Sequence, residues 1–242
     1  MQWRWLRAPG LRYWLFRDPL DVLIYSVLAS ERVTHVLSVG SNDGRHNDPL
    51  WTFRHFPNLK GLLVEPFEPA FRRLEANYAP WRGRFALAQV AVSSESGDRP
   101  FYFLSDVTSA GDELGTLDKG LLRQHATALQ RSPDTIRSTL VRCVTFFELC
   151  AEHRVDTVQV LLIDAEGQDY RILRSVDLER LGVLLVLFEH SQLSADETLA
   201  AHSLLRTAGY DTLTLGGNTV AMSRRAMETA PVRKRAWKLV HG

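Results

Sequence analysis

The feature that most constrains this chain is a set of short, wholly apolar runs, each stopping at a flexible or acidic residue. "VLSV" stops at Gly40, "GLLV" at Glu65, "VLLI" at Asp164 and "VLLVLF" at Glu189. Runs this short and this free of polar alternation read as strands buried on both faces, the habit of parallel sheets. Between them lie segments with apolar residues at helical spacing: "EPAFRRLEANY" (68–78), "QDYRILRSV" (168–176) and "ADETLAAHSLLRTAGY" (195–210), the last stopped by Gly209. Further helices are expected from Asp18-Pro19 to about Ser30 and within "DPLWTFRHF" (48–56). "RFALAQVAV" (84–92) reads as one continuous third strand, and "DTLTL" and "TVAMS" as a closing hairpin around Gly216-Gly217. The expected architecture is a doubly wound, Rossmann-like α/β fold, a mostly parallel sheet with helices on both faces.

A chain of 242 residues, 45% hydrophobic, has room for one substantial domain, expected over residues 31–225. The formal charge of +1 argues against nucleic acid as a partner. Cys143 and Cys150 have no metal-ligand spacing and read as reduced packing residues, so a cytoplasmic protein is expected. No apolar run approaches the roughly 20 residues of a membrane helix. Residues 1–30 form an arm and helix in which Trp3, Trp5, Tyr13 and Trp14 interleave with Arg4, Arg7, Arg12 and Arg17. Such a segment can lie on the inner face of a membrane, or pack on the domain, on a second subunit of a homodimer, or over the site. Residues 109–138 read as an insertion and a possible lid. Residues 226–242 read as a basic tail.

In a doubly wound sheet, ligands sit beyond the carboxyl ends of the strands. "GSNDG", Gly40 to Gly44, is such an end. Gly40 allows a turn and close approach, Ser41, Asn42 and Asp43 offer polar contacts, and Gly44 lets the following segment pack. Glu65, ending the next strand, is placed to accept hydrogen bonds from a ribose diol. The spacing of dinucleotide and phosphate loops is missing. A nucleoside site without a phosphate loop points to S-adenosylmethionine rather than NAD or ATP.

The chain resembles the FkbM-type S-adenosylmethionine-dependent methyltransferases. The resemblance is carried in order by "LSVGSNDGRHNDPL", "GLLVEPFEPAFRRLEANY", "AQVAVSSESGDRPFYF", "VQVLLIDAEGQDYRIL" and "LFEHSQLS", across roughly residues 33–222. Ser41 and Gln168 are mild departures, and the N-terminal arm lies outside it. It implies that Gly40, Ser41, Asn42, Asp43 and Gly44 contact the methionine part of the cofactor. It also implies that Glu65 holds the ribose and that Ala91 leaves room for the adenine. The implied activity is methyl transfer to oxygen, commonly a hydroxyl of a sugar, glycolipid or glycosylated natural product.

Methyl transfer to an alcohol needs a group that removes the hydroxyl proton. His190, Glu189 and Asp164 stand at strand ends, and His190 is the first choice because imidazole is basic near neutrality. Asp164 and Glu189 can alternatively hold a magnesium ion, although a histidine rather than an acid beside Glu189 weakens that reading. Asp164 also reads as a cap of the helix that follows it. His46, Asp48 and His125 are expected near the acceptor, with Asn218 and Thr219 at its border. A module that binds S-adenosylmethionine or docks on a membrane without chemistry is the alternative function.

Overall fold

The computed structural model describes residues 18–106 and 115–241. The aromatic arm and the first part of the expected lid therefore lie outside the described residues. In chain order the elements are α1 (Pro19–Leu28), β1 (Thr34–Val39), β2 (Leu59–Val64), α2 (Glu68–Tyr78), β3 (Phe85–Ala88), β4 (Ala91–Val92), β5 (Gly97–Leu104), β6 (Gly115–Thr116), α3 (Lys119–Ala128), β7 (Ile136–Val144) and α4 (Phe146–His153). They continue as β8 (Val160–Ile163), α5 (Asp169–Leu173), α6 (Leu178–Leu181), β9 (Leu185–Glu189), α7 (Ala195–Thr207), β10 (Tyr210–Leu215), β11 (Asn218–Ser223), α8 (Arg224–Thr229) and α9 (Pro231–His241).

A seven-stranded sheet runs in the order β10-β11-β9-β8-β1-β2-β3. The run β9-β8-β1-β2-β3 is parallel, and β11 is antiparallel to both of its neighbours. Each apolar strand serves two cores because successive side chains point to opposite faces. Leu37, Leu62, Leu161 and Val186 face the layer of α4, α5, α6 and α7. Val36, Leu63, Val160 and Leu185 face the layer of α1, α2, α8 and α9. Burial on both sides removes the alternation that a half-exposed strand would show. Each fully buried leucine contributes about 1.5–3 kcal/mol.

A second sheet, β4-β7-β5-β6, stands beside the first. Its long β5–β7 ribbon is capped by α3, whose Leu122 and Ala126 pack with Leu104. The expected single strand over 84–92 is divided between the sheets: β3 ends at Ala88, and β4 pairs with β7 instead. The switch at Gln89-Val90 carries the chain from one sheet to the other.

The expected helix at 48–56 is absent. Backbone bonds there run from Trp51 to Asp48, Phe53 to Leu50 and Phe56 to Phe53, a succession of tight turns. Side chains have captured the groups that a helix would use. Asp48 Oδ1 accepts from the Leu50 N–H at 2.6 Å, Arg54 donates to the Trp51 carbonyl, and Arg84 donates to the carbonyls of Phe56 and of Arg54, the latter at 2.7 Å. Residues 226–241, expected as a tail, instead supply most of α8 and all of α9. There the buried Arg233 donates to Ser30 Oγ at 2.8 Å and pairs with Glu31, fastening α9 to the end of α1.

Candidate active site

Two clefts open beyond the carboxyl ends of β1, β2, β8 and β9. The narrow one, about 710 Å³, is lined by Gly40, Asn42, Glu65, Ala91, Asp164 and Glu166 among others. The wide one, about 2300 Å³, includes Asp21, His46, Asp48, Trp51, Arg131 and Asn218. They share Val39, Gly40, Asn42, Asp164 and Glu166. The junction therefore lies at the ends of two adjacent parallel strands, β1 and β8.

The turn after β1 divides its labour. Gly40 has φ +82, and a Cβ there would overlap the carbonyl oxygen of Asp164. The glycine is thus needed first for the approach of the two strand ends, a role beyond the turn and the ligand approach that the sequence had suggested. Asn42, at φ 46, lines both clefts, and its Oδ1 is buried without a donor. Ser41 lines the wide cleft and donates to the Ser38 carbonyl. Asp43 and Gly44, expected at the cofactor, line neither cleft. Asp43 accepts from the Arg45 and His46 N–H groups at 2.9 Å and lies 2.5 Å from His46 Nδ1. Burial raises its pKa, but these hydrogen bonds outweigh it and the net shift is downward. A Cβ on Gly44 would overlap Leu74 of α2, so this glycine seats that helix.

In the narrow cleft, Glu65 is buried and held from both sides. Its Oε2 accepts from the Asn42 N–H at 2.9 Å and its Oε1 from the Phe67 N–H at 2.8 Å. These bonds fix the carboxylate at the end of β2. Ala91 sits with Val90, Phe67 and Phe101, an apolar slot in which the Phe67 and Phe101 rings stack at 5.9 Å. Such a slot suits a flat ring.

At the junction, oxygens of Asp164, Glu166 and Glu189 lie within 4.8 Å of one another. Asp164 opens onto both clefts, yet the atoms packed around it desolvate the carboxyl. That burial, the Glu189 charge and a hydrogen bond with Glu189 raise its pKa to about 7. Burial followed by the charge of Asp164 raises Glu166 to about 8 and Asp169 to about 8. Asp169 is spent on structure, accepting from the N–H groups of Ala165 and Gly167 at the start of α5. Asp164 does not cap that helix. Three crowded carboxylates relieve their repulsion by retaining protons or by holding a hard cation such as magnesium, for which the all-oxygen set is chemically suited.

Glu166 was not singled out as a site residue from the sequence. Its one signal is the pair Glu166-Gly167, both at positive φ (47 and 90), which bends the β8–α5 loop back toward the clefts. The β6–α3 segment is fastened to this loop. Thr116 Oγ1 donates to the Glu166 carbonyl at 2.8 Å, and Leu121 packs where a Cβ on Gly167 would lie. His125 of α3 is brought to 3.9 Å from Glu166 Oε2 and 2.7 Å from Gln192 Oε1. The described part of the expected lid is therefore an anchored wall.

His190 is not among the residues lining either cleft. Its Nδ1 lies 2.9 Å from Thr219 Oγ1, which lies 3.3 Å from His202 Nε2. Thr219 is itself fully buried, while Asn218 borders the wide cleft. Of the expected acceptor residues, His46 and Asp48 line the wide cleft and His125 stands behind Glu166.

Among the described residues no helix is long and apolar enough to cross a membrane. Among curated proteins none matches the chain. Solved structures do. A methyltransferase from Geobacter sulfurreducens is 10% identical, with a TM-score of 0.43 over 84% of this chain and 75% of that one. Methyltransferase FkbM from Methylobacillus flagellatus KT is 11% identical, with a TM-score of 0.48 over 88% of this chain and 52% of that one. Residues 38–212, from β1 into β10 and including both clefts' strand ends, match the methyltransferase FkbM domain. The chain belongs to the FkbM family of S-adenosylmethionine-dependent methyltransferases.

Proposed function

We propose that the protein moves the methyl of S-adenosylmethionine onto a hydroxyl oxygen of a sugar, glycolipid or glycosylated natural product, with Asp164 as proton acceptor. The observation that carries this reading is the position of Asp164, on the wall common to both clefts and hydrogen-bonded to Glu189. The cofactor occupies the narrow cleft, its ribose against Glu65 and its adenine in the slot beside Ala91. The acceptor enters from the wide cleft, past His46 and Asp48. The sulfonium is already a good electrophile, so the protein's task is to set an oxygen about 3 Å from the methyl, in line with the sulfur.

As the new oxygen–carbon bond forms and the carbon–sulfur bond breaks, the hydroxyl proton passes to Asp164. Glu189, within hydrogen-bonding reach of that carboxyl, shares the proton once Asp164 has taken it. His190, the first choice from the sequence, is engaged with Thr219 and stays out of the step.

The test is incubation with methyl-labelled S-adenosylmethionine and a panel of saccharide acceptors, followed by NMR of the product. A methyl ether supports the reading; a methyl on nitrogen or carbon refutes it. The three-carboxylate cluster favours a second reading, in which Asp164, Glu166 and Glu189 hold a divalent cation that would polarise the acceptor oxygen. Loss of turnover on chelation, restored by added magnesium, would establish it in place of the proton-acceptor role.

A further inference from the structure

Positive charge is gathered at the two ends of the chain. Residues 1–17 carry four arginines and no acid, and α9 carries Arg233, Lys234, Arg235 and Lys238 and no acid. The whole chain has a formal charge of only +1, so the residues between these ends are net acidic. α9 packs along α1, and α1 starts at Pro19, just after the first of these stretches. Both basic stretches are therefore attached to one helical layer.

α9 sorts its side chains by face. Ala236 and Trp237 are buried, and the buried Arg233 is answered by Glu31. At 3.6 residues per turn, Lys234, Arg235, Lys238 and Leu239 fall on the opposite face. All four are exposed, Leu239 by 58%. Among the described residues, Lys234, Arg235 and Lys238 enter no ion pair. Lys234 and Lys238 stand one turn apart, a like-charge spacing that destabilises a helix left to itself. Beyond the end of α1, Arg32 and Val33 are exposed as well, next in sequence to the Glu31 that Arg233 holds.

A partner for this face must be acidic and must also accept exposed aliphatic side chains. The stretch ahead of α1 is itself basic, and a second copy would bring the same cations to a symmetric contact. A nucleic-acid backbone answers the charge but not Leu239. An anionic bilayer answers both, with phosphates for the bases and an interfacial zone for the aliphatic side chains. We propose that the exposed face of α9 seats the protein on the anionic surface of a phospholipid membrane. Among the described residues no helix crosses a bilayer, so the contact is one of lying on the surface. α9 is fastened just beyond the end of α1, whose start lines the wide cleft through Leu20 and Asp21. One ten-residue helix, about 15 Å, separates the two. The docking stands independently of the methyl-transfer reading and, where that reading holds, points to an acceptor carried on a lipid.

The test is flotation of the full chain with vesicles of phosphatidylcholine alone and of equal parts phosphatidylcholine and phosphatidylglycerol. The protein should float with the anionic vesicles, stay behind with the neutral ones, and be released in molar salt, where screening acts within about 3 Å. Each base near an anionic surface strengthens binding about fivefold. The triple variant Lys234→Gln/Arg235→Gln/Lys238→Gln should therefore bind roughly a hundredfold more weakly, with an unchanged melting temperature. A control variant on the opposite layer, Arg154→Gln/Arg174→Gln/Arg180→Gln, removes the same charge and should bind as the parent does. Failure to float with anionic vesicles, equal flotation with neutral ones, an unchanged triple variant, or an equal loss in the control would each overturn the inference. Retention on polyuridylate at a salt concentration that strips the protein from vesicles would also overturn it, in favour of nucleic acid.

Discussion

The two clefts meet at five residues and are built by different means. The narrow cleft is made where strands end: Gly40 on β1, Glu65 on β2 and Asp164 on β8 are each the residue that stops an apolar run. Backbone N–H groups fix Glu65, and strand pairing fixes the other two. The wide cleft gathers its walls from α1, the turns at 45–52, Asp106, the end of α3 and the β10–β11 hairpin. Strands β1, β8 and β9 supply its floor through Ser38, Leu162 and Leu187, and Asn218 is paired with Glu189 of β9. Strand pairing does not set the spacing of the α1, turn and α3 walls. On the proposed reading, the cofactor side is held by the sheet, and the acceptor side is assembled from segments that can diverge without disturbing it.

The severest way to break this contrast is Gly40→Val. A Cβ at that position overlaps the Asp164 carbonyl, and the backbone sits at a φ that a β-branched residue avoids. S-adenosylhomocysteine binding should vanish and thermal stability should drop, both read in one melting experiment with and without ligand. A variant that binds normally would mean that the strand ends do not form the site.

Next in size is Asp164→Asn. Turnover should fall roughly 10²–10⁴-fold with cofactor affinity little changed. Only the ionised carboxylate accepts a proton, so the parent rate should rise with pH through about 7, the raised pKa of Asp164. His190→Ala should retain most activity. A collapse of turnover in His190→Ala, with Asp164→Asn near normal, would restore the histidine to the role that the sequence suggested.

Glu65→Ala sharpens the comparison, because its effect should be confined to one cleft. Loss of a charge-assisted partner should weaken S-adenosylhomocysteine binding by about 1.5–3 kcal/mol and leave acceptor binding unmoved. Equal losses on both sides would show that the clefts are not separable.

The smallest effect concerns the shared floor. Glu166 holds its proton more tightly folded than unfolded, so its contribution to stability is present at low pH and is lost as pH rises through about 8. Glu166→Gln should therefore raise the melting temperature by about 2–4 °C at a pH near 9, and by little near pH 5. An equal rise at both values would mean that charge is not the cause.

The same contrast explains what could be read in advance. The places of Gly40, Glu65 and Asp164 at strand ends were legible because apolar runs announce strands, and a doubly wound sheet dictates which ends matter. Ala91, by contrast, came only from the family resemblance and lies in the second sheet. Asp43 and Gly44 looked the same locally, but their work is inside the turn. Glu166 escaped notice because its importance comes from a left-handed bend beyond β8. The contact of His190 with Thr219 could not be read in advance because it spans 29 positions of sequence. The helix expected at 48–56 fits the apolar pattern there. Arg84, from beyond α2, takes the carbonyls of Arg54 and Phe56, and no local reading of the segment includes it.

Fastening α9 to α1 also orders events in time. The bond between Arg233 and Ser30 joins positions 203 residues apart, and β11, synthesised late, must insert between β9 and β10. During translation the parallel strands can pair and the glycine turn can close while one face of the sheet is still uncovered. Closures between positions so far apart are intrinsically slow. Asp18 and Asp21 stand at the start of the helix that waits for this closure. On this order the strand ends around the narrow cleft can come together before the α1 wall of the wide cleft is fixed.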